Sequence, residues 1–272
     1  MAHGDVTLER HDTVALITLD RPERQNAIDE RMVARLGEAV NELESALPRA
    51  IVVTGGGSDA FSAGLDIRPG SNPAAAALLQ AVQQQDRGAI EKLLARLRQP
   101  VDRLMSLPVP VIAAVNGIAF GAGAEIVARC DLRVADAGAI FCFINTRMGL
   151  MPSFGGVPAL TRLVGPARAA DLLLSARKFR ATEALGLGML NRLAEPGMAA
   201  EEALKFADSI ASNGPRAVRA TLRVLRASAG ISLDEGLQLE LGAAAGVFAS
   251  GEFAYGLQAI QDQTEAEFPD VP

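Results

Sequence analysis

Apolar and polar residues alternate in two adjoining runs near the start of the chain, V-T-L-E-R-H (6–11) and V-A-L-I-T-L (14–19). Period-two runs parted only by Asp12-Thr13 predict a β-hairpin. The spacing then lengthens. Met32, Val33, Leu36, Val40 and Leu43 recur at helical intervals, and Asp29 stands where a side chain caps a helix running through Ala46. A-I-V-V-T-G-G-G (50–57) reads as a buried strand ending in a glycine turn, with F-S-A-G-L-D-I (61–67) as the loop behind it. Residues 69–75 have loop chemistry, and 80–85 and 90–97 return to helical spacing. Past Pro108 and Pro110, V-I-A-A-V-N (111–116) is a strand. G-I-A-F-G-A-G-A-E (117–125) is a small-residue loop, and E-I-V-A-R (125–129) opens a helix. D-L-R-V-A (131–135) and A-I-F-C-F (139–143) are short strands. Beyond Pro152 the pattern is helical over 165–176, 181–187, 199–212, 214–229 and 232–249.

Alternating strand and helix predicts an α/β fold of stacked βαβ units. The all-helical end predicts a cap or an oligomer interface. A division near residue 200 follows: a core over 1–200 and a helical C-terminal region over 201–272.

Composition narrows the function. A chain of 272 residues, 49% of them hydrophobic, can bury a full core. Its net charge is −6, and Lys92, Lys178 and Lys205 are the only lysines. With no basic block, nucleic acid is not an expected partner. No apolar run is long enough to predict a membrane span, and the N-terminal M-A-H-G-D-V lacks the pattern of a signal peptide. Cys130 and Cys142 have no metal-site spacing. A cytoplasmic setting with reduced thiols is expected.

The histidines are His3 and His11, both near the N-terminus. A Ser-His-Asp or Cys-His arrangement therefore has no base in the body of the chain, and no metal site is expected. Gly117-x-x-x-Gly121-x-Gly123 has the glycine spacing of a dinucleotide-binding loop. Such an enzyme also needs a Tyr-x-x-x-Lys pair, and Tyr255 is followed four residues later by Ala259. What the small residues do allow is close approach of backbone. Loops 63–66 and 117–124 each follow a strand, and one N–H from each can meet a single oxygen to form an oxyanion hole. Glu125, at the end of the second loop, supplies a carboxylate for proton transfer.

R-P-E-R-Q-N-A-I (21–28), V-V-T-G-G-G-S-D-A-F-S-A-G-L-D-I (52–67) and P-V-I-A-A-V-N-G-I-A-F-G-A-G-A-E-I (110–126) carry a resemblance. It continues through C-D-L-R-V-A (130–135), M-G-L-M-P-S-F-G-G (148–156) and A-L-G-L-G-M-L-N-R-L (184–193). In this order the stretches resemble the crotonase superfamily of enoyl-CoA hydratases and isomerases, from about residue 5 to 268. The resemblance implies a crotonase-like spiral of ββα units with a helical C-terminal trimerisation region, and trimers often paired into hexamers. It implies an acyl-CoA thioester substrate, with coenzyme A as part of the substrate and no other cofactor. The thioester oxygen would be held by the N–H groups of Leu65 and Ala122. Arg24, Asn26, Ala27, Ala63, Gly64, Asp66, Ile67 and Arg68 would lie along the coenzyme, with Gly117 and Gly121 in the second loop.

Hydratases of this superfamily use two glutamates. Glu125 matches the first, but the second position is Asn145, whose amide neither gives nor takes a proton at neutral pH. The leading expectation is a hydratase-like lyase in which Glu125 moves protons alone. The alternatives are an enoyl-CoA isomerase, an acyl-CoA hydrolase or decarboxylase, or a non-catalytic acyl-CoA-binding subunit. Phe141, Phe143 and Ile144 are expected to wall an apolar pocket that raises the pKa of Glu125. The end of the chain, Q-D-Q-T-E-A-E-F (261–268), lacks the superfamily's basic residue, so either arginines elsewhere, such as Arg24 or Arg68, bind the coenzyme's phosphates or coenzyme A binding is weaker than usual. Asp66 is expected to cap the following turn. Arg147 is either a partner for a substrate carboxylate or a surface residue.

Overall fold

The computed structural model describes residues 5–68, 70 and 72–271. His3, Pro69 and Ser71 lie outside them. The hairpin forms as the alternation predicts: β1 (Asp5–His11) pairs antiparallel with β2 (Val14–Asp20), Asp5 opposite Asp20. Helix α1 (Glu30–Ser45) starts where Asp29 accepts the Met32 N–H at 2.8 Å, and it buries Met32, Leu36, Val40 and Leu43.

The chain then lays down a long strand, a short strand and a helix, three times over. The first round is β3 (Ala50–Gly55), β4 (Ala60–Ser62), α2 (Pro73–Gln83) and α3 (Arg87–Ser106). The second is β5 (Val111–Val115), β6 (Ile118–Phe120) and α4 (Ala122–Arg129). The third is β7 (Leu132–Asp136), β8 (Ile140–Cys142), α5 (Gly156–Val164) and α6 (Pro166–Ser175). Then follow β9 (Phe179–Arg180), α7 (Ala181–Gly186), β10 (Arg192–Ala194) and α8 (Ala199–Ala211). The long strands and the three-residue β10 join one sheet, ordered β1-β2-β3-β5-β7-β10, and the other short strands join a second, ordered β4-β6-β8-β9. This is the expected spiral of ββα units.

Both faces of the long-strand sheet are covered, which is why its strands are apolar almost throughout. Val14, Val52, Ile112, Ala114 and Val134 face α8, which meets them with Ala199, Ala203, Ala207 and Ala211. Ala15, Ile17, Ile51, Val53, Ala113 and Val115 face the main core, shared with α1, α3, α4 and the short-strand sheet.

The structure corrects several expectations. Residues 61 and 62 of the supposed loop belong to β4, and 118–120 of the second loop pair as β6. Helix α4 begins at Ala122 rather than Glu125, so the small residues form its first turn. Helix α2 begins at Pro73 because the Asn72 side chain accepts the Ala75 N–H at 3.0 Å. Helix α3 continues through Pro100 to Ser106. A boundary at 201 would cut α8, which packs on the sheet and belongs to the core. The helices that follow the core are α9 (Pro215–Ser228), α10 (Leu233–Ala249) and α11 (Phe253–Asp262). Helices α5 and α11 and strands β9 and β10 were not expected; two- and three-residue strands are too short to show a period. Among the described residues no helix is long and apolar enough to cross a membrane.

Candidate active site

The two small-residue loops come together. Gly64 has φ +95°, and a Cβ built there would stand 2.7 Å from Phe120 O and 3.1 Å from Ala122 N. Only glycine permits both that backbone angle and that approach. Leu65 forms an isolated parallel bridge with Ile28, in which Ile28 N–H donates to Gly64 O (2.7 Å) and Asp66 N–H to Ile28 O (2.8 Å). In such a bridge the N–H of Leu65 itself points away from the partner strand. Ala122 is the first residue of α4, ahead of the bond from Glu125 N–H to Gly121 O (3.0 Å). Its N–H is therefore one of the helix-start amides without an intrahelical partner, at the positive end of the dipole.

Glu125, one turn into α4, has no exposed surface. One carboxylate oxygen, Oε2, accepts the N–H groups of Phe154 (2.7 Å) and Gly156 (3.0 Å). The other, Oε1, accepts Nδ2 of Asn145 at 3.2 Å. Burial pushes the Glu125 pKa above the usual carboxylate value, and these donors, Gly156 foremost, offset part of the rise. Asn145 Oδ1 is buried and accepts no hydrogen bond among the described residues. The amide's direction is fixed by charge: reversing it would set Oδ1 against the carboxylate.

Gly156 is required here, because a Cβ would stand 2.5 Å from Glu125 Cγ. The 153–156 turn is thus part of the site, a role sequence reading missed although the F-G-G run signals close backbone approach. Of the three residues expected to wall the pocket, Ile144 lies beside Gly121, its Cγ2 3.6 Å from a Cβ built there. Phe141 and Phe143 instead stack on Phe179 in the core, with centroids 5.5 and 6.4 Å apart.

Other expected site residues turn out to brace the loops. Asn26 is fully buried: Nδ2 donates to Gly56 O (2.9 Å) and Ala60 O (2.7 Å), and Oδ1 accepts Arg21 N–H (2.8 Å). Its side chain staples three loops and has nothing left for a ligand. Ala27 is buried, with its carbonyl taken by Arg21 Nη1 at 3.0 Å. Ala63 N–H donates to Gln25 O at 2.8 Å. A side chain at Gly117 would run into the backbone of Asp59, so this glycine serves packing. Gly121, at φ +49°, turns the chain into α4.

Asp66 caps no turn. Its buried carboxylate accepts Arg21 Nη1 (2.9 Å) and both Nε (2.9 Å) and Nη2 (2.8 Å) of Arg68. The Arg68 bonds, with help from Arg21, hold its pKa down at about 2. Arg68 remains half exposed, Ile67 is partly buried, and Arg24 is exposed on the 3-10 turn Pro22–Arg24. Arg147 is exposed, and its Nη2 donates to Ala176 O at 2.9 Å. His11 lies on β1, 3.8 Å from Glu9, in a groove shared with Arg49, Asp208 and Phe268. The Cys130 thiol is buried, which pushes its pKa up to about 12. Among the described residues no three His, Cys, Asp or Glu side chains gather as metal ligands would.

Known proteins share this architecture. The family profile described as enoyl-CoA hydratase/isomerase matches residues 9–270. A crotonyl-CoA hydratase from Syntrophomonas wolfei is 31% identical over 98% of this chain and 99% of its own. A short-chain-enoyl-CoA hydratase from Clostridium acetobutylicum is 32% identical over 88% of each. The crystal structure of an enoyl-CoA hydratase from Polaromonas sp. JS666 superposes with a TM-score of 0.88 at 27% identity, covering 98% of this chain and all (100%) of the other.

Proposed function

The chain belongs to the enoyl-CoA hydratase/isomerase family, and we propose that it adds water to a 2-enoyl-CoA thioester, or removes it, with Glu125 as the one proton-transferring carboxylate. The observation that carries this reading is Asn145: Nδ2 bonds Glu125 Oε1 while Oδ1 is a buried acceptor to which nothing donates among the described residues. A water held between Oδ1 and Oε1 would satisfy both.

The thioester oxygen sits at the N–H groups of Leu65 and Ala122, and the positive start of α4 favours charge gathering there. Glu125 takes one proton from the water as its oxygen bonds to the β-carbon, and the electron pair of the double bond moves onto the thioester oxygen as an enolate. The protonated Glu125 then returns that hydrogen to the α-carbon on the same face. Atoms balance: hydroxyl to Cβ, hydrogen to Cα. The raised pKa of Glu125 serves the first step, since the conjugate base of a weaker acid is a better base for water.

A second reading, a 1,3-shift of the double bond, is favoured by the same solitary carboxylate, because removal and return of one proton needs one base. Crotonyl-CoA separates the two. Hydration bleaches the ultraviolet absorbance of the conjugated thioester and yields a 3-hydroxyacyl-CoA, whereas isomerisation of a 3-enoyl-CoA creates that absorbance. A protein that leaves crotonyl-CoA untouched refutes the first reading.

Arg24 is exposed beside the first loop, and it is our choice for the coenzyme's phosphates. Self-association as a trimer or hexamer is supported by Leu233, Leu237, Leu241 and Phe248, exposed along α10 at 78, 53, 65 and 66%. Free, buried thiols support a cytoplasmic setting. Sedimentation of the intact chain tests the assembly: a monomer at micromolar concentration refutes it.

A further inference from the structure

The turn that grips Glu125 is itself gripped from behind. Two of its amides point inward to Glu125 Oε2, and two of its carbonyls point outward to arginines. Arg129 Nη1 donates to Phe154 O at 3.0 Å, and Arg98 Nη1 reaches Ser153 O at 3.5 Å. Both guanidinium groups converge on one carboxylate: Arg129 Nη1 lies 2.8 Å from Asp102 Oδ1, and Arg98 Nε donates to Asp102 Oδ2 at 2.9 Å. Gly155, at φ +92°, lies flat on this network, since a Cβ there would stand 2.9 Å from Arg129 Cδ.

The arrangement has a direction. Arg129 follows Glu125 by four residues on α4, so one face of one helix carries both the carboxylate and the clamp on its holder. The Ser153–Phe154 peptide runs straight through: its oxygen faces Arg98 and its N–H donates to Glu125. A peptide oxygen bonded to a cation leaves its own N–H a stronger donor.

We propose that Asp102, Arg129 and Arg98 are positioning residues for Glu125: they fix the 153–156 turn so that its amides hold one carboxylate oxygen still and leave the other for chemistry. The inference rests on Glu125 being the proton-transferring group. None of the three touches the carboxylate. The other charged residues on elements around it are Arg162 on α5, Arg147 in the 144–148 turn, and Asp66 with its arginines behind the 63–68 loop. None of these bonds the carboxylate either. Lengthening the bonds from the turn removes donors that favour the charged form, so the pKa of Glu125 rises when the network is cut.

The test compares wild type with Arg129→Ala, Arg129→Lys and Asp102→Asn. One readout is kcat and KM on crotonyl-CoA across pH. The other needs no turnover: the carbon-13 titration of the Glu125 carboxyl in glutamate-labelled protein, assigned by its loss in Glu125→Gln. We expect Arg129→Ala to lower kcat by about tenfold to a hundredfold with KM little changed, to move the titration of Glu125 upward, and to be largely rescued by Arg129→Lys. Where Arg129→Ala does not fold, Asp102→Asn, which keeps shape and removes charge, must show the same upward movement. A folded variant whose Glu125 titrates as in wild type overturns the proposal. A wild type that fails to hydrate, with the titration still moved, refutes the hydratase reading and leaves the network standing.

Discussion

Asn145 stands against Glu125 with its amide nitrogen 3.2 Å from one carboxylate oxygen, while its amide oxygen is buried and accepts nothing from the described residues. One amide thus does two opposed things. It stabilises a charge that burial penalises, and it presents an acceptor that a water or a substrate hydroxyl can satisfy. An amide suits a site in which one carboxylate performs both proton transfers, because it orients a water without competing for the proton.

Asn145→Glu converts this arrangement into a carboxylate pair. Two negative charges at that distance do not coexist in a buried site, so the pair holds one proton between its members and titrates as a unit. One member is then an acid while the other is a base. We expect hydration of crotonyl-CoA to speed up by about tenfold or more, with the acid limb of the pH–rate profile moved upward. Steady-state rates across pH check this, and a folded variant no faster than wild type contradicts it.

Gly64→Ala attacks the other half of the site. The new Cβ would press on Phe120 O at 2.7 Å and approach Ala122 N at 3.1 Å, at a backbone angle of +95°. The Leu65 and Ala122 N–H groups, proposed to hold the thioester oxygen, must separate. We expect kcat to fall by more than about a hundredfold and stability by about 2 kcal/mol or more. Gly165→Ala is the control, since φ there is +80° but nothing lies within 4 Å. It should lose about 1 kcal/mol of stability through backbone strain alone and keep its activity. Equal activity in the two variants would detach Gly64 from the site.

These two sites were legible in the sequence to different depths. The hairpin, α1 and the strands β3, β5 and β7 followed from period and capping, because they are long and each has one dominant pattern. Glu125 stood out because the glycine run led to it. The bracing role of the Asn26 side chain was hidden, because a buried polar residue and a binding residue look alike until the partners, here Gly56 O and Ala60 O, are seen. The same holds for Asp66, whose partner Arg21 lies 45 residues away. The 153–156 turn acts through backbone N–H groups, which every residue has, so only its glycines could mark it.

Asp66→Asn tests that hidden pairing. Its folded pKa, about 2, lies below the ordinary 3.8. The stability it contributes is therefore complete above pH 3.8 and disappears as pH falls towards 2. Arg68 is half exposed and screened, so on the order of 1–2 kcal/mol is expected rather than the full value of the shift. Urea denaturation at pH 7 should find the variant weaker by that amount, with the gap narrowing towards pH 2. A constant gap across that range would mean that Asp66 contributes by packing alone.

Glu125→Gln carries the opposite sign. The folded pKa of Glu125 is raised, so its contribution to stability is greatest below the ordinary value and is lost as pH rises through the folded one. Once ionised, the buried carboxylate is a burden on the fold. Glutamine has the same shape: its oxygen can accept the Phe154 and Gly156 N–H groups, and its NH2 can donate to Asn145 Oδ1 once that amide turns over. The variant should therefore melt a few degrees above wild type at pH 8 and together with it near pH 4, while turnover falls by about 10²–10⁴ and acyl-CoA binding persists. Calorimetry at the two pH values separates the physics from the catalysis. If the variant melts with wild type at pH 8, burial does not penalise the charge, and the site has no reason to use Glu125 as a base stronger than any exposed glutamate.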